Sequence, residues 1–235
     1  MQARDSKIII ALDFEDQKST LNFVKKLDPA YCRLKIGSIL FTRFGPALVS
    51  ELMQIGFDIF LDLKFHDIPN TVAGACRVAA ELGVWMLTVH TMGGIEMLSM
   101  AKEAASFYGG ATQPLVVGVT VLTSLDQADL TSLNIEAPLS NLVSDLAESA
   151  KRAGLDGVVC SAHEANLLRQ QLPSDFLLIT PGIRLEADPS GDQKRIMTPH
   201  AAFEAGADYL VMGRSIIQSK DPMSILEKLQ RPYCE

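Results

Sequence analysis

Eight apolar, strand-like runs alternate with helical segments along this chain, and the alternation restricts its fold more than any other feature. The strand-like runs are residues 7–13, 31–37, 58–65, 85–91, 115–123, 157–161, 176–181 and 209–213. Helical periodicity follows each run, in residues 17–27, 44–55, 70–82, 95–107, 139–153, 164–171, 198–205 and 221–229. Strands separated by helices form parallel sheets, and eight such units predict a closed (β/α)8 barrel, the TIM-barrel architecture.

A doubly wound open sheet is the alternative fold, but such sheets usually have fewer strands. The Gly-x-Gly-x-x-Gly turn typical of that fold is missing after the first strand, where residues 13–16 read Asp-Phe-Glu-Asp. A length of 235 residues with 48% hydrophobic side chains suits one barrel as well as two smaller domains. Because no Pro/Gly/Ser-rich linker divides the chain, we expect a single α/β barrel domain over residues 1–235.

Charge and cysteine content restrict the function. A formal net charge of −7 argues against broad nucleic-acid binding, although a local basic site for a small anion is compatible with it. The four cysteines are far apart, with no Cys-x-x-Cys pair and no zinc-type spacing, so we expect reduced thiols in a cytoplasmic protein. The chain enters its first strand almost at once and has no apolar run long enough to cross a bilayer, which predicts neither signal peptide nor membrane contact.

A dense group of charges ends the third apolar run, where residues 62–67 read Asp-Leu-Lys-Phe-His-Asp. Side chains alternate along a strand, so Asp62 and Lys64 share one face while the apolar residues pack on the other. Two carboxylates about 4 Å apart repel by roughly 4 kcal/mol at an effective dielectric of about 20, so an interleaved lysine is needed. The alternative is a solvated edge strand. It is disfavoured because residues 68–71, Ile-Pro-Asn-Thr, open a helix and place the charges at the strand's C-terminal end.

Six other polar residues and two glycines stand at or just after the C-terminal ends of predicted strands, the end at which barrel enzymes carry their active sites. They are Asp13, Lys35, Gly37, Thr123, Ser124, Arg184, Gly213 and Arg214.

Two turns resemble the phosphate-binding loops that barrels place after strands seven and eight. Residues 180–184 read Thr-Pro-Gly-Ile-Arg, and residues 211–215 read Val-Met-Gly-Arg-Ser. Backbone N–H groups and a helix N-terminus can bind the anion there, and arginine adds a bidentate contact. The polar segment 185–195 between the turns is either a mobile lid, from which Gln193 would donate a hydrogen bond, or an ordinary surface loop.

The combination of these motifs closely resembles the orotidine 5'-phosphate decarboxylases of the bacterial type. The resemblance rests on Asp62-x-Lys64-x-x-Asp67-Ile68-Pro69-x-Thr71, on Lys35-Ile36-Gly37 before it, and on residues 119–124, 180–184 and 213–214 after it. It runs from Asp13 to Arg214, nearly the whole chain. The Asp-x-Lys-x-x-Asp element alone also looks similar to sugar-phosphate decarboxylases and aldolases, so Ile-Pro-x-Thr and Leu-Thr-Ser decide between the families.

The resemblance implies a homodimer with an active site at each subunit contact. Lys35, Asp62 and Lys64 would act from one subunit, while Asp67 and Thr71 reach in from the other. The resemblance also implies roles around the substrate: Asp13, Lys35 and the partner's Thr71 at the ribose, Thr123 and Ser124 at the pyrimidine, Gln193, Gly213 and Arg214 at the phosphate, and Arg184 beside them.

The implied reaction converts orotidine 5'-phosphate to uridine 5'-phosphate and carbon dioxide, with Lys64 protonating C6. No pyridoxal or thiamine site is visible in the sequence, so we expect neither cofactor nor metal to take part. A magnesium-dependent sugar-phosphate decarboxylase is the enzymatic alternative. The second alternative is a barrel that binds nucleotides without turnover. It is disfavoured because the chain keeps four charged residues together that are costly to fold: Lys35, Asp62, Lys64 and Asp67.

The histidines and the loop after Ser124 receive structural interpretations. We expect His66 at a rim or interface, and His90, His163 and His200 to be hydrogen-bonded structural groups. We expect residues 126–136 to form a solvated loop.

Overall fold

The structure is a computed structural model and describes residues 6–108, 113–185 and 197–230. Its eight strands are β1 Ile8–Ala11, β2 Arg33–Gly37, β3 Ile59–Phe65, β4 Met86–His90, β5 Leu115–Val119, β6 Gly157–Val159, β7 Leu177–Thr180 and β8 Tyr209–Met212. All neighbouring pairs are parallel and follow chain order, and β8 pairs with β1, so the sheet closes on itself. The predicted (β/α)8 barrel is confirmed.

Ten α-helices are described: α1 Gln17–Val24, α2 Ser38–Gln54, α3 Pro69–Leu82, α4 Gly94–Tyr108, α5 Gln127–Ser132, α6 Leu139–Arg152, α7 Ala162–Gln171, α8 Pro199–Glu204, α9 Arg214–Ile217 and α10 Pro222–Gln230. The short helices α5 and α9 were not expected from periodicity. The loop predicted for 126–136 is wrong over α5, because Asp126 and Asp129 form a capping box that starts a helix there. Among the described residues no helix is long and apolar enough to cross a membrane.

The strands separate two apolar layers. In β1 and just after it, Ile8, Ile10 and Leu12 pack outward with the helices, whereas Ile9 and Ala11 face the barrel interior. The interior is filled by one inward residue from each of several other strands: Phe60, Met86, Val117, Ile179 and Val211. This packed layer closes the barrel beneath the next inward position of β3, which is Asp62, so the cavity that Asp62 lines lies above it.

The opposite, N-terminal end of the barrel is held by ion pairs. Aspartates that immediately precede strands pair with cations of neighbouring elements: Asp58 with Arg33, Asp156 with Lys102, and Asp208 with Arg169. Asp156 and Asp208 also accept backbone N–H groups of adjacent strands, at 2.7 and 2.8 Å. These charges are neutralised in place and stabilise strand starts, which leaves the C-terminal end for chemistry.

Candidate active site

A cavity of about 250 Å³ opens at the C-terminal end of the barrel. Six charged residues line it: Lys35, Lys64, Arg184 and Arg214 on the positive side, and Asp13 and Asp62 on the negative side. Four cations and two carboxylates give the lining a formal charge of +2, in a chain whose formal net charge is −7. A positive cavity in an acidic protein favours a small anionic ligand over the other molecules that the surface meets.

Asp62 lies between two lysines at the end of β3. Its Oδ1 is 2.8 Å from Nζ of Lys64, and its Oδ2 is 3.3 Å from Nζ of Lys35. Burial alone would raise the pKa of the Asp62 carboxyl, but the two ammonium groups outweigh it and hold the pKa below its usual value. The predicted sharing of one strand face by Asp62 and Lys64 is thereby confirmed, and the carboxylate fixes both ammonium groups at the cavity.

The end of β3 is irregular in a way that the sequence did not reveal. The register with β4 runs from Leu61 opposite Leu87 directly to Phe65 opposite Val89, so residues 62–64 face a single residue, Thr88. Lys64 has a φ of 51°, in the left-handed region that lysine rarely adopts. Such bulges re-aim side chains at the rims of barrels, and this one directs the Lys64 ammonium to Asp62.

Thr88 is the residue of this site that the sequence analysis missed. Its hydroxyl accepts the Lys64 backbone N–H at 2.8 Å and donates to Asp62 Oδ1 at 3.1 Å. A threonine inside a strand-like run gives no functional signal, because β-branched residues are ordinary in strands. Only the bulge opposite it makes its hydroxyl a partner of the charged array.

The ends of β1 and β8 approach each other closely on the other side of the cavity. A Cβ atom added to Gly213 would lie 3.2 Å from Oδ2 of Asp13, so glycine suits this contact. Gly213 also precedes α9, which starts at Arg214. Arg184 is nearly buried and lines the same cavity, as does Gly182 with its φ of 79°. The two predicted turns therefore both contribute to one cavity, as a shared phosphate site requires.

The structure thus brings most of the predicted site residues to one cavity: Asp13, Lys35, Asp62, Lys64, Thr123, Arg184, Gly213 and Arg214. It does not bring Asp67, Thr71 or Ser124 to the cavity lining, and all three are exposed. Oδ1 of Asp67 accepts the backbone N–H of Ile68 at 2.6 Å, at the start of α3. The predicted contribution of Gln193 lies outside the described residues.

Two histidines stack beside Lys64. The rings of His66 and His90 are 5.2 Å apart at an interplanar angle of 26°, with His66 exposed, as predicted for a rim position. Nδ1 of His90 is buried and has no hydrogen-bond partner within the described residues, contrary to the hydrogen-bonded role expected of it. Burial, with repulsion from His66 and Lys64, lowers the pKa of His90 below its ordinary value of 6.5.

Fold and site together define a (β/α)8-barrel protein with a cationic, lysine- and aspartate-bearing cavity for a small anion at the C-terminal end of its strands. Residues 6–229 match the model of the orotidine 5'-phosphate decarboxylase / HUMPS family, and the chain belongs to this family of enzymes.

Similar proteins agree with this assignment. The chain is 55% identical over 231 residues to a protein of Coxiella burnetii named orotidine 5'-phosphate decarboxylase, covering 98% of both chains. It is 54% identical over 228 residues to a protein of the same name from Pseudoalteromonas translucida, covering 97% of both. The crystal structure of orotidine 5'-phosphate decarboxylase from Lactobacillus acidophilus superimposes with a TM-score of 0.87 at 36% identity, covering 98% of this chain and 100% of that one.

Proposed function

We propose that this enzyme decarboxylates orotidine 5'-phosphate to uridine 5'-phosphate in pyrimidine biosynthesis. The observation that carries the proposal is the Lys35–Asp62–Lys64 array at the cationic cavity, in a chain whose relatives are named for this reaction. A substrate with a phosphate and a carboxylate is an anion at neutral pH. The +2 lining of the cavity attracts it.

Each end of the substrate has candidate partners. Gly213 and Arg214 would hold the phosphate, with Arg184 beside it and Gln193 donating from the segment between the two turns. Asp13 and Lys35 would bind ribose hydroxyls. Thr123, which lines the cavity, and Ser124, which is exposed next to it, would meet the pyrimidine.

The chemical difficulty lies at C6 of the pyrimidine. When the bond from C6 to the carboxylate breaks, its electron pair remains on C6 in the plane of the ring, where the π-system cannot delocalise it. The Lys64 ammonium would stabilise this charge and then transfer a proton from Nζ to C6, regaining a proton from solvent later. Asp62 pairs with this ammonium and would keep it in place. In the proposed reaction the protein itself would supply the stabilisation, without a cofactor or metal.

We further propose that the active enzyme is a homodimer in which Asp67 and Thr71 complete the partner's site. Both residues are exposed and lie outside the cavity lining of their own chain. Apolar side chains on the same side of the barrel are exposed as well: Ile39, Ile68, Met92 and Ile95. Exposed apolar groups around residues that a site needs are expected at a two-fold contact, which buries them and supplies each site from both chains.

The buried thiols suit a reducing compartment. Cys32, Cys76 and Cys160 are free and buried, and burial raises the pKa of Cys32 and Cys76 to about 12. Such thiols are unreactive and have no disulfide partner among the described cysteines, which supports the proposed cytoplasmic location.

The test is incubation of the purified enzyme with orotidine 5'-phosphate, following loss of its ultraviolet absorbance. We expect turnover that a chelator does not reduce, with Lys64→Ala as the inactive control. Turnover that stops on chelation would contradict the metal-free reaction, and turnover only of a sugar-phosphate substrate with magnesium would favour the enzymatic alternative. Tight nucleotide binding without turnover would favour the inactive binding protein.

A further inference from the structure

The hydroxyl of Thr88 lies between the backbone of Lys64 and the carboxylate of Asp62. Thr88 is on β4 and is completely buried, with a relative exposure of 0%. Its oxygen is 2.8 Å from the Lys64 backbone nitrogen and 3.1 Å from Asp62 Oδ1. It therefore contacts the main chain of one member of the charged array and the side chain of another.

The chemistry of the three groups fixes the direction of both hydrogen bonds. A backbone N–H only donates, so the Thr88 oxygen accepts from Lys64. An ionised carboxylate only accepts, so the single hydroxyl proton of Thr88 points to Asp62. The lowered pKa of Asp62 agrees with this arrangement, because burial opposes ionisation while Lys35 and Lys64 favour it more strongly. One hydroxyl thus links the backbone and the carboxylate in a single orientation.

The position of Thr88 explains how the bulge of β3 is held. Residues 62–64 face this one residue, so regular strand pairing cannot satisfy the Lys64 N–H. The threonine oxygen takes the place of a strand carbonyl as its acceptor. The hydrogen bond to Thr88 offsets part of the conformational free energy that the left-handed backbone of Lys64 costs.

We propose that Thr88 is a positioning residue for Lys64: its hydroxyl keeps the lysine backbone left-handed and turns Asp62 Oδ1 toward the Lys64 ammonium. The inference rests on the proposed function for its effect on turnover, because Lys64 is the proton donor there. Packing alone does not account for the hydroxyl, since valine has the same shape and fills a strand interior at least as well.

Thr88→Val and Thr88→Ser separate the hydroxyl from the packing. Hydrogen bonds that involve a charged group are the stronger ones, so we expect Thr88→Val to lower kcat roughly 10- to 100-fold. We expect KM for orotidine 5'-phosphate to change less than about threefold, because the phosphate and ribose contacts are elsewhere. Thr88→Ser keeps the hydroxyl and should retain kcat within about fivefold of the parent.

Thr20→Val is the matched control. Thr20 is also fully buried, and its hydroxyl donates to the Asp16 carbonyl at 2.7 Å at the start of α1, outside the cavity lining. We expect its kcat to stay within about threefold of the parent. If Thr88→Val does not fold, Thr88→Ala and Thr88→Ser replace it, since both delete the methyl group and differ only in the hydroxyl.

A crystal structure of the valine variant gives a readout that does not depend on turnover. We expect Lys64 to leave the left-handed region, or its Nζ to move away from Asp62. An unchanged Lys64 together with kcat within threefold of the parent would overturn the proposal. So would serine and alanine variants that are equally slow. A wild-type enzyme inactive on orotidine 5'-phosphate would contradict the proposed function, and the Lys64 geometry would still decide the role of Thr88.

Discussion

Nζ of Lys64 lies 2.8 Å from Oδ1 of Asp62, and the backbone that carries this lysine has a φ of 51°. The lysine side chain is 37% exposed, on the cavity side, while the Asp62 side chain is only 13% exposed. The ammonium is therefore held by a largely buried carboxylate and faces the cavity from a strained backbone. Such pre-organisation is what electrostatic stabilisation of a developing charge requires.

Lys64→Ala should abolish decarboxylation and leave a measurable nucleotide site. The variant lacks the proposed proton donor and the charge proposed to lie nearest to C6, whereas most groups proposed for the phosphate and ribose lie on other strands. The measurements are turnover of orotidine 5'-phosphate and calorimetric binding of uridine 5'-phosphate. Lys151→Ala, which removes a lysine paired with Glu148 on α6, is the control and should be fully active. If the Lys64 variant turned over within tenfold of the parent, Lys64 would not be the general acid that protonates C6.

Arg214→Ala should reduce kcat/KM for orotidine 5'-phosphate by about 100-fold, since a charge-assisted contact to phosphate is worth about 3 kcal/mol. The phosphate-free nucleoside should be almost unaffected, because the lost interaction does not exist for it. Steady-state kinetics with both substrates make the comparison. Equal losses would mean that Arg214 acts through folding and not through the phosphate.

His90 should make the protein less stable in mildly acidic solution. In the folded state, burial and the nearby His66 and Lys64 lower the pKa of His90. Just below pH 6.5 the His90 side chain therefore binds a proton in the unfolded chain but not in the folded protein. The free energy of unfolding should accordingly fall as pH drops from 6.5 toward the lowered pKa of His90. Urea unfolding at a series of pH values measures this slope. His90→Gln should flatten it, whereas His163→Gln, at an exposed position of α7, should not.

Gly157→Ala should destabilise the barrel. A Cβ atom at Gly157 would overlap the backbone carbonyl of Leu177, its partner across the β6–β7 pair, and a backbone group cannot turn aside. Crowding of this kind costs roughly 1–3 kcal/mol. In a domain of this size that lowers Tm by about 2–12 °C, which scanning calorimetry would detect. An unchanged Tm would show that the strands separate there at little cost.

The strand pattern was readable from the sequence because apolar alternation has a fixed period. The alternation placed Asp62 and Lys64 together on one face of β3. Local irregularities were not readable. The bulge opposite Thr88 depends on pairing with a strand more than twenty residues away along the chain. Lysine also has no preference for the left-handed region, so the residue type gives no sign of the bulge.

One helix was also missed, and two predicted roles remain untested. The helix α5 carries its own signal, since Asp126 and Asp129 cap it reciprocally, but an aspartate takes the place of the usual glutamate or glutamine of that motif. The roles of Asp67 and Thr71 are of another kind. Both lie outside the cavity lining of their own chain, so no account of one subunit tests them, and they stay predictions.

The shared-site proposal is tested by mixing two inactive variants, Lys64→Ala and Asp67→Ala, under conditions that exchange subunits. In a mixed dimer one site carries both defects. The other site is intact, because the Lys64→Ala chain contributes its Asp67 to the site that holds the partner's Lys64. Random exchange makes about half of the dimers mixed, so activity should recover to roughly one quarter of wild type, as two-fold symmetry requires.

A second mixture, of Lys64→Ala with Asp62→Ala, is the matched control for this recovery. Asp62 and Lys64 bind each other within one chain, so every site of that mixed dimer keeps one defect and no activity should return. Native mass spectrometry of subunits with different masses verifies exchange in both mixtures. If exchange is complete and the Lys64→Ala and Asp67→Ala mixture stays inactive, Asp67 serves its own subunit. Recovery in both mixtures would instead show that the variants regain activity without sharing sites.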